Sequence, residues 1–248
     1  MKKSINLSLG LALALGITVF PTMSYADEEE TEGYEKVSTE EHEVAGEEFN
    51  LEKWQNPDGT TIYTIPTEVE NKEEITDYVD EITEDSNEST PFKTASQVEA
   101  EAGVPIKWSY SGLSNTDSGK AKIVTSASGY SNHVVNEKMA VNKGGKIEGW
   151  YLPNAVADSI KLRYSYTFSG TVLSISKSPS LTKQNSTVSW AGPTIKKQFY
   201  SKTSYESASA SGIAMFSTTI KTSAEVVKGG IIYRPSTTKK ISFGGSGR

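Results

Sequence analysis

The chain has 248 residues, no cysteine, two histidines and a formal net charge of -6. Without cysteine there is no disulfide framework, thiol nucleophile, Cys-ligated zinc or acylated lipoprotein cysteine. The net charge conceals a split: residues 27–102 hold 25 Asp+Glu against 4 Lys, net -21, and residues 103–248 hold 6 Asp+Glu against 19 Lys+Arg, net +13.

Residues 1–26 read as a secretory signal peptide. Lys2 and Lys3 precede an apolar run from Leu7 to Phe20, then Pro21 and Ser24-Tyr25-Ala26. The small side chains of Ser24 and Ala26 suit a peptidase that cuts after Ala26. The apolar run is shorter than the roughly 20 residues a spanning helix needs, and no later stretch is apolar enough, so no transmembrane anchor is expected. A cysteine-free chain with this leader predicts a secreted, extracellular bacterial protein.

Residues 27–48 contain Glu28-Glu29-Glu30, Glu40-Glu41 and Glu47-Glu48 with few apolar side chains, which predicts a disordered acidic tail. In residues 49–65, Phe49 to Trp54 and Thr61 to Ile65 flank Asn56-Pro57-Asp58-Gly59. Pro pre-sets the first turn φ and Gly accepts a positive one, so the pattern predicts a β-hairpin. Residues 71–84 predict a short helix. Asn71 is its cap, Glu74 follows three residues on, and Ile75, Tyr78, Val79 and Ile82 form one apolar stripe. Residues 85–91 read as a linker. Hairpin and helix are each too small to stand alone, so the acidic region 49–103 either docks on the rest of the chain or serves as a removable pro-segment.

From residue 104 to 248 the pattern changes to β. Ile160, Leu162, Tyr164, Tyr166 and Phe168 alternate with Lys161, Arg163, Ser165 and Thr167. Ser169-Gly170 is expected to reverse the chain before Thr171–Ser176, and Gly144-Gly145 to close another hairpin. Further strands are expected at 122–126, 134–141, 146–152, 187–191, 194–200, 213–221, 230–234 and 240–243. The fold class is therefore all-β: an antiparallel β-sandwich, or a barrel-like variant of it, preceded by the acidic, largely disordered N-terminal region with its hairpin and helix. Trp108, Trp150, Trp190, Phe168, Phe199 and Phe216 are the expected aromatic anchors of its core.

Catalytic chemistry finds little support. His42 and His133 are the two histidines, and no Gly-x-Ser-x-Gly elbow accompanies either. Glu148, beside Trp150 and Tyr151, is the most site-like carboxylate, yet it reads best as a solvent-facing strand residue opposite a lysine. Glu40-Glu41-His42-Glu43 lacks the spacing of a preorganised metal site, and the glycine clusters lack the strand-loop-helix setting of a phosphate cradle. No enzyme activity and no cofactor are expected.

The basic residues carry the functional expectation, with Lys161, Arg163, Lys196, Lys197, Lys239 and Lys240 as candidate contacts to an anionic surface. Only 3 of the 19 basic residues after position 102 are Arg. Bidentate phosphate reading favours Arg, so diffuse attraction to anionic cell-wall polymer or lipid headgroups is expected rather than specific nucleic-acid binding. The first reading is a secreted non-catalytic protein whose basic β-sandwich associates with the anionic cell envelope or extracellular matrix. The alternative is an antimicrobial or membrane-active, pore-forming toxin with an acidic pro-segment.

Overall fold

The computed structural model describes residues 33–84, 106–132 and 137–242. The expected signal peptide, its expected cleavage point after Ala26, the expected linker and His133 lie outside these residues. Among the described residues are fourteen strands and one helix: β1 (Glu35–Val44), β2 (Glu47–Gln55), β3 (Thr61–Ile65), α1 (Lys72–Glu84), β4 (Ile106–Asp117), β5 (Ala121–Asn132), β6 (Glu137–Tyr151), β7 (Ala157–Lys177), β8 (Thr182–Gln184), β9 (Thr187–Ala191), β10 (Ile195–Gln198), β11 (Tyr200–Ser204), β12 (Ala208–Lys228), β13 (Ile231–Tyr233) and β14 (Ser236–Ser242).

The strands form two antiparallel sheets packed face to face, as the alternation predicts. The first runs β1-β2-β3-β11-β6-β5-β4 and the second β14-β12-β7-β9-β8, with β10 beside the start of β7 and β13 against the end of β12. Ile123 and Ile147 of the first sheet meet Ile160, Leu162, Ile220, Ala224 and Val226 of the second. The approach is tight at Gly149, where a Cβ would lie 2.8 Å from Leu162 Cδ2 and 3.3 Å from Ala224 Cβ.

Hydrogen bonding between the sheets is continuous, because residues 208–212 of β12 pair with β6 on one side and β7 on the other. Beyond Gly212, β14 replaces β6 beside β12, so the two sheets part in hydrogen bonding and stack through the core. Two expected turns are corrected here. β7 runs 21 residues through Ser169-Gly170 without reversing, and β6 runs 15 residues through Gly144-Gly145. Both glycine sites are irregularities within a continuous strand: Gly170, at φ 120°, borders a β-bulge, and Gly145 has no room for a Cβ, which would come within 2.2 Å of Ser126 O.

The chain breaks between β11 and β12, and buried tyrosines complete its hydrogen bonding. Glu206 N donates to Tyr164 Oη at 2.8 Å, and Tyr166 Oη donates to Glu206 O at 3.0 Å. Tyr205 stacks edge-on to Tyr164, and its hydroxyl lies 2.6 Å from Thr125 Oγ1. Without these hydroxyls, the buried backbone of Glu206 would lack partners that the interrupted ladder does not supply.

The acidic segment is built into the same fold. The expected hairpin is β2–β3, and β3 pairs with β11 from Tyr200↔Ile65 to Thr203↔Ile62. Composition predicts no structure over 27–48, but residues 35–44 form β1, an edge strand paired with β2. Its side chains are mostly exposed, so it needs little apolar surface of its own and is held by the ladder to its neighbour. The helix also forms as predicted, with acidic Glu73 and Glu74 in its first turn, where the helix dipole favours them. Glu47 anchors its start by accepting from Glu70 N at 2.7 Å and Asn71 N at 3.0 Å.

α1 covers the outer face of the first sheet. Ile75 and Val79 are fully buried against Phe49, Leu51, Ile65, Trp150, Phe199 and Tyr200, while Ile82 at the end of the stripe stays partly exposed. Burying two such side chains is worth about 3–5 kcal/mol, more than exposed ion pairs of about 0–1 kcal/mol each could supply. Of the six expected anchors, Trp150, Trp190, Phe168 and Phe199 are buried and Trp108 partly so. Phe216 is corrected: it is 64% exposed.

Candidate anionic-surface face

The outer face of the second sheet is set by the alternation of β7. Ile160, Leu162, Tyr164, Tyr166 and Phe168 turn into the core, so Lys161, Arg163, Ser165 and Thr167 turn outward. Register extends the face across its neighbours. On β12, Glu225 opposes Lys161, Ser223 opposes Arg163 and Lys221 opposes Ser165. On β14, Lys240 opposes Thr219 and Thr238 opposes Lys221. On β9, Ser189 opposes Ser165 and Thr187 opposes Thr167, and on β10 Lys196 opposes Ser159.

Lys161, Arg163, Lys196, Lys221 and Lys240 therefore share a face with Glu225, its second partner Arg234 and many hydroxyls. Those first five cations form a diagonal band over four adjacent strands, about 14 Å across the strands and, from the level of Ser159 beside Lys196 to that of Thr167 beside Thr219 and Lys240, about 26 Å along them. The whole band exceeds the screening length of about 8–10 Å at physiological salt, but successive cations along it, such as Lys161 and Arg163, lie within that length, so an extended anionic surface meets them in neighbouring groups. Lys196, Lys221 and Lys240 have no acidic partner within ion-pair distance among the described residues. Cross-strand hydroxyl pairs, such as Thr167 Oγ1 with Thr187 Oγ1 at 3.0 Å, keep the ground between them polar and flat.

Glu225 is the one acid on the paired stretches 159–169 and 217–227. Partial burial pushes its carboxyl pKa up, but Arg163 and Arg234, whose guanidinium groups each lie 3.3 Å from Oε2, outweigh that and hold it below the usual carboxylate range. It thus stays charged and fixes Arg163 in place.

Of the six residues singled out in the sequence, the structure brings Lys161, Arg163, Lys196 and Lys240 together. Lys239 opposes the core residue Ile220, and its Nζ lies 6.0 Å from the ring centroid of Tyr110, on the other side of β14. Lys197 has a left-handed backbone, φ 53°, which breaks the alternation that holds Lys196 on the face. Lys221 was not singled out. It closes the predicted strand 213–221, but only the β12–β14 register places it opposite Thr238 and near Lys240.

A second charged cluster lies beneath α1 and has a different character. Asp80 bonds both Lys202 and Lys146, Lys202 also donates to Thr83 Oγ1 at 2.7 Å, and Lys146 lies 3.3 Å from Glu148. Glu148, the carboxylate most site-like in sequence, opposes Lys202 as expected, but its solvent-facing placement is corrected: covered by α1, it is 1% exposed and accepts from Tyr200 Oη at 2.8 Å. Burial pushes the Tyr200 phenol well up, and the neighbouring Glu148 charge adds to that. The cluster joins acidic helix to basic sheet, with Lys202 and Glu148 buried and Asp80 and Lys146 partly exposed at its edge. His42 is likewise engaged in packing, with Nδ1 2.9 Å from Tyr78 Oη and its ring stacked on Phe49.

No helix among the described residues is long and apolar enough to cross a membrane. In comparisons with known proteins, no protein-family model matches the chain and no curated protein matches it.

Proposed function

We propose that this chain is a secreted, non-catalytic bacterial protein that docks on an anionic surface of the cell envelope through the outer face of its second sheet. The observation that carries the reading is the gathering of Lys161, Arg163, Lys196, Lys221 and Lys240, from four strands, on one hydroxyl-covered face with Glu225 as the opposing acid. A broad array of cations on a rigid sheet suits a repeating phosphate or carboxylate surface better than a single small anion. Lysine dominates it, which suits diffuse attraction rather than bidentate recognition.

The acidic segment, on this reading, is a structural part of the binding protein. Against a removable pro-segment stands the β3–β11 ladder, since removal would uncover Trp150, Phe199 and Tyr200 together with the charges of Lys202 and Glu148. Co-sedimentation of the chain with purified bacterial cell wall tests the reading. Binding should fall at least tenfold in a Lys196→Gln/Lys221→Gln/Lys240→Gln variant, three attractive contacts of about 0.5–1 kcal/mol each being lost. Undiminished binding by the variant would refute it.

A further inference from the structure

The β7–β12 ladder contains three β-bulges within a few residues, and each inserts one large apolar side chain. Register passes from Ser211↔Ser174 to Gly212↔Val172, skipping Leu173; from Gly212↔Val172 to Ala214↔Thr171, skipping Ile213; and from Met215↔Gly170 to Ser217↔Ser169, skipping Phe216. These three inserted residues are 63%, 65% and 64% exposed. Their neighbours Met215, Val172 and Ile175 turn to the core. Leu173, Ile213 and Phe216 therefore turn the other way, onto the face that carries Lys161, Arg163 and Lys221.

An extra residue in a ladder ejects a side chain while leaving the inward positions in register, which is how bulges re-aim side chains. Three in succession, each ejecting a large apolar group where serine and threonine surround it, concentrate apolar surface at one place on a polar sheet. The stretches of β7 and β12 that carry them hold no charge, while on neighbouring β6 Lys138 opposes Ser211 and Glu137 opposes Gly212. From Tyr164 to Ser176 of β7 and from Ser207 to Ile220 of β12 there is no Asp, Glu, Lys or Arg. The basic stretch then begins at Lys221, about 16 Å along the strand from Phe216 at the usual rise per residue.

We infer that this face docks on an anionic lipid bilayer, with Leu173, Ile213 and Phe216 entering the headgroup-acyl boundary and Lys161, Arg163 and Lys221 resting on headgroup phosphates. The inference rests on the anionic-surface reading above and names the surface. Apolar insertion beside a cationic patch is the combination that holds interfacial proteins on anionic membranes. Charge selects the lipid over a second copy of the chain. Two copies meeting through this same face would set one basic array against the other, whereas phosphate headgroups complement it.

Vesicle flotation of the full chain tests the inference, with liposomes of equimolar phosphatidylglycerol and phosphatidylcholine, liposomes of phosphatidylcholine alone, and lipid-free poly(glycerol phosphate) as a polymer control. The chain should float with the anionic vesicles. A Leu173→Ser/Ile213→Ser/Phe216→Ser variant should bind them roughly 100-fold more weakly, three partly buried apolar side chains being lost. Its thermal melt and its affinity for the polymer should be unchanged. Phe216→Ser alone, which disturbs the ladder less, should lose about tenfold. Equal vesicle binding by these variants overturns the inference, as does a dimer that the triple variant abolishes without any vesicle binding. A chain that binds the polymer but not the vesicles also overturns it and leaves the anionic-surface reading standing; binding to neither overturns both.

Discussion

Replacing Asp80 by Ala isolates the contact that joins the acidic helix to the basic sheet. Alanine keeps α1 helical, so intrinsic helix propensity does not confound the result. The change removes the Asp80 carboxylate from Lys202, 4% exposed, which still donates to Thr83 Oγ1, while Lys146 keeps Glu148 at 3.3 Å. Removing one partner of a buried pair costs about 3–5 kcal/mol, and the partial exposure of Asp80 places this case near the lower end, at about 3 kcal/mol. For a chain of this size that corresponds to a fall in Tm of roughly 6–12 °C. Urea denaturation followed by circular dichroism gives the free energy. The more exposed Lys228–Asp158 pair, 3.6 Å apart, is the control, and Lys228→Ala should cost less than about 1 kcal/mol. Lys202→Met in the Asp80→Ala background should recover most of the loss, because an apolar side chain of similar length leaves no buried charge. An Asp80→Ala cost no larger than that of Lys228→Ala, or a double variant whose losses simply add, would refute the reasoning.

Three further outcomes follow from the interior. Tyr166→Phe removes the hydroxyl that donates to the buried Glu206 carbonyl and should cost about 1–3 kcal/mol in the same assay; no loss would mean that the hydroxyl does not complete the broken ladder. Burial raises the phenol pKa values of Tyr164, Tyr166, Tyr200 and Tyr205. Their folded values lie above the unfolded value near 10, so the stability they contribute is complete below pH 10 and is lost as pH rises beyond it. Four such groups give a slope of about 5 kcal/mol per pH unit, which predicts cooperative alkaline unfolding in which tyrosinate absorbance and loss of circular dichroism coincide; smooth titration of all tyrosines in an intact fold would contradict it. Cutting the chain at a protease site engineered between residues 85 and 105 should leave the two pieces co-eluting on native gel filtration, held by the β3–β11 ladder and the α1 contacts. Separation of the pieces would restore the removable pro-segment.

The sequence revealed what depends on local chemistry. Pro57-Asp58-Gly59 placed the β2–β3 turn, the spacing of Ile75, Tyr78 and Val79 placed α1, and the alternation from Ile160 to Phe168 assigned the two faces of β7. Glycine misled in two places, because the same freedom from a Cβ that permits a turn also permits a bulge or a close approach inside a strand. Gly170 and Gly145 are of the second kind, a distinction that depends on strand register. β1 was hidden because an exposed edge strand needs no apolar pattern of its own. Phe216 was misplaced for a related reason: the extra bulge residue shifts it out of the alternation that would have buried it. Lys161 and Arg163 were legible as outward-facing, but gathering them with Lys196, Lys221 and Lys240 required cross-strand pairing between segments far apart in sequence.

Binding of the full chain to lipid-free poly(glycerol phosphate), followed as a function of salt, tests the anionic face most directly. Several lysine–phosphate contacts that release counterions give a plot of log affinity against log salt with a slope of about -3 to -4. Lys196→Gln/Lys221→Gln/Lys240→Gln should bring the slope close to -1, with the melting temperature unchanged. An affinity that does not depend on salt, or a slope that the triple variant leaves intact, would contradict the account.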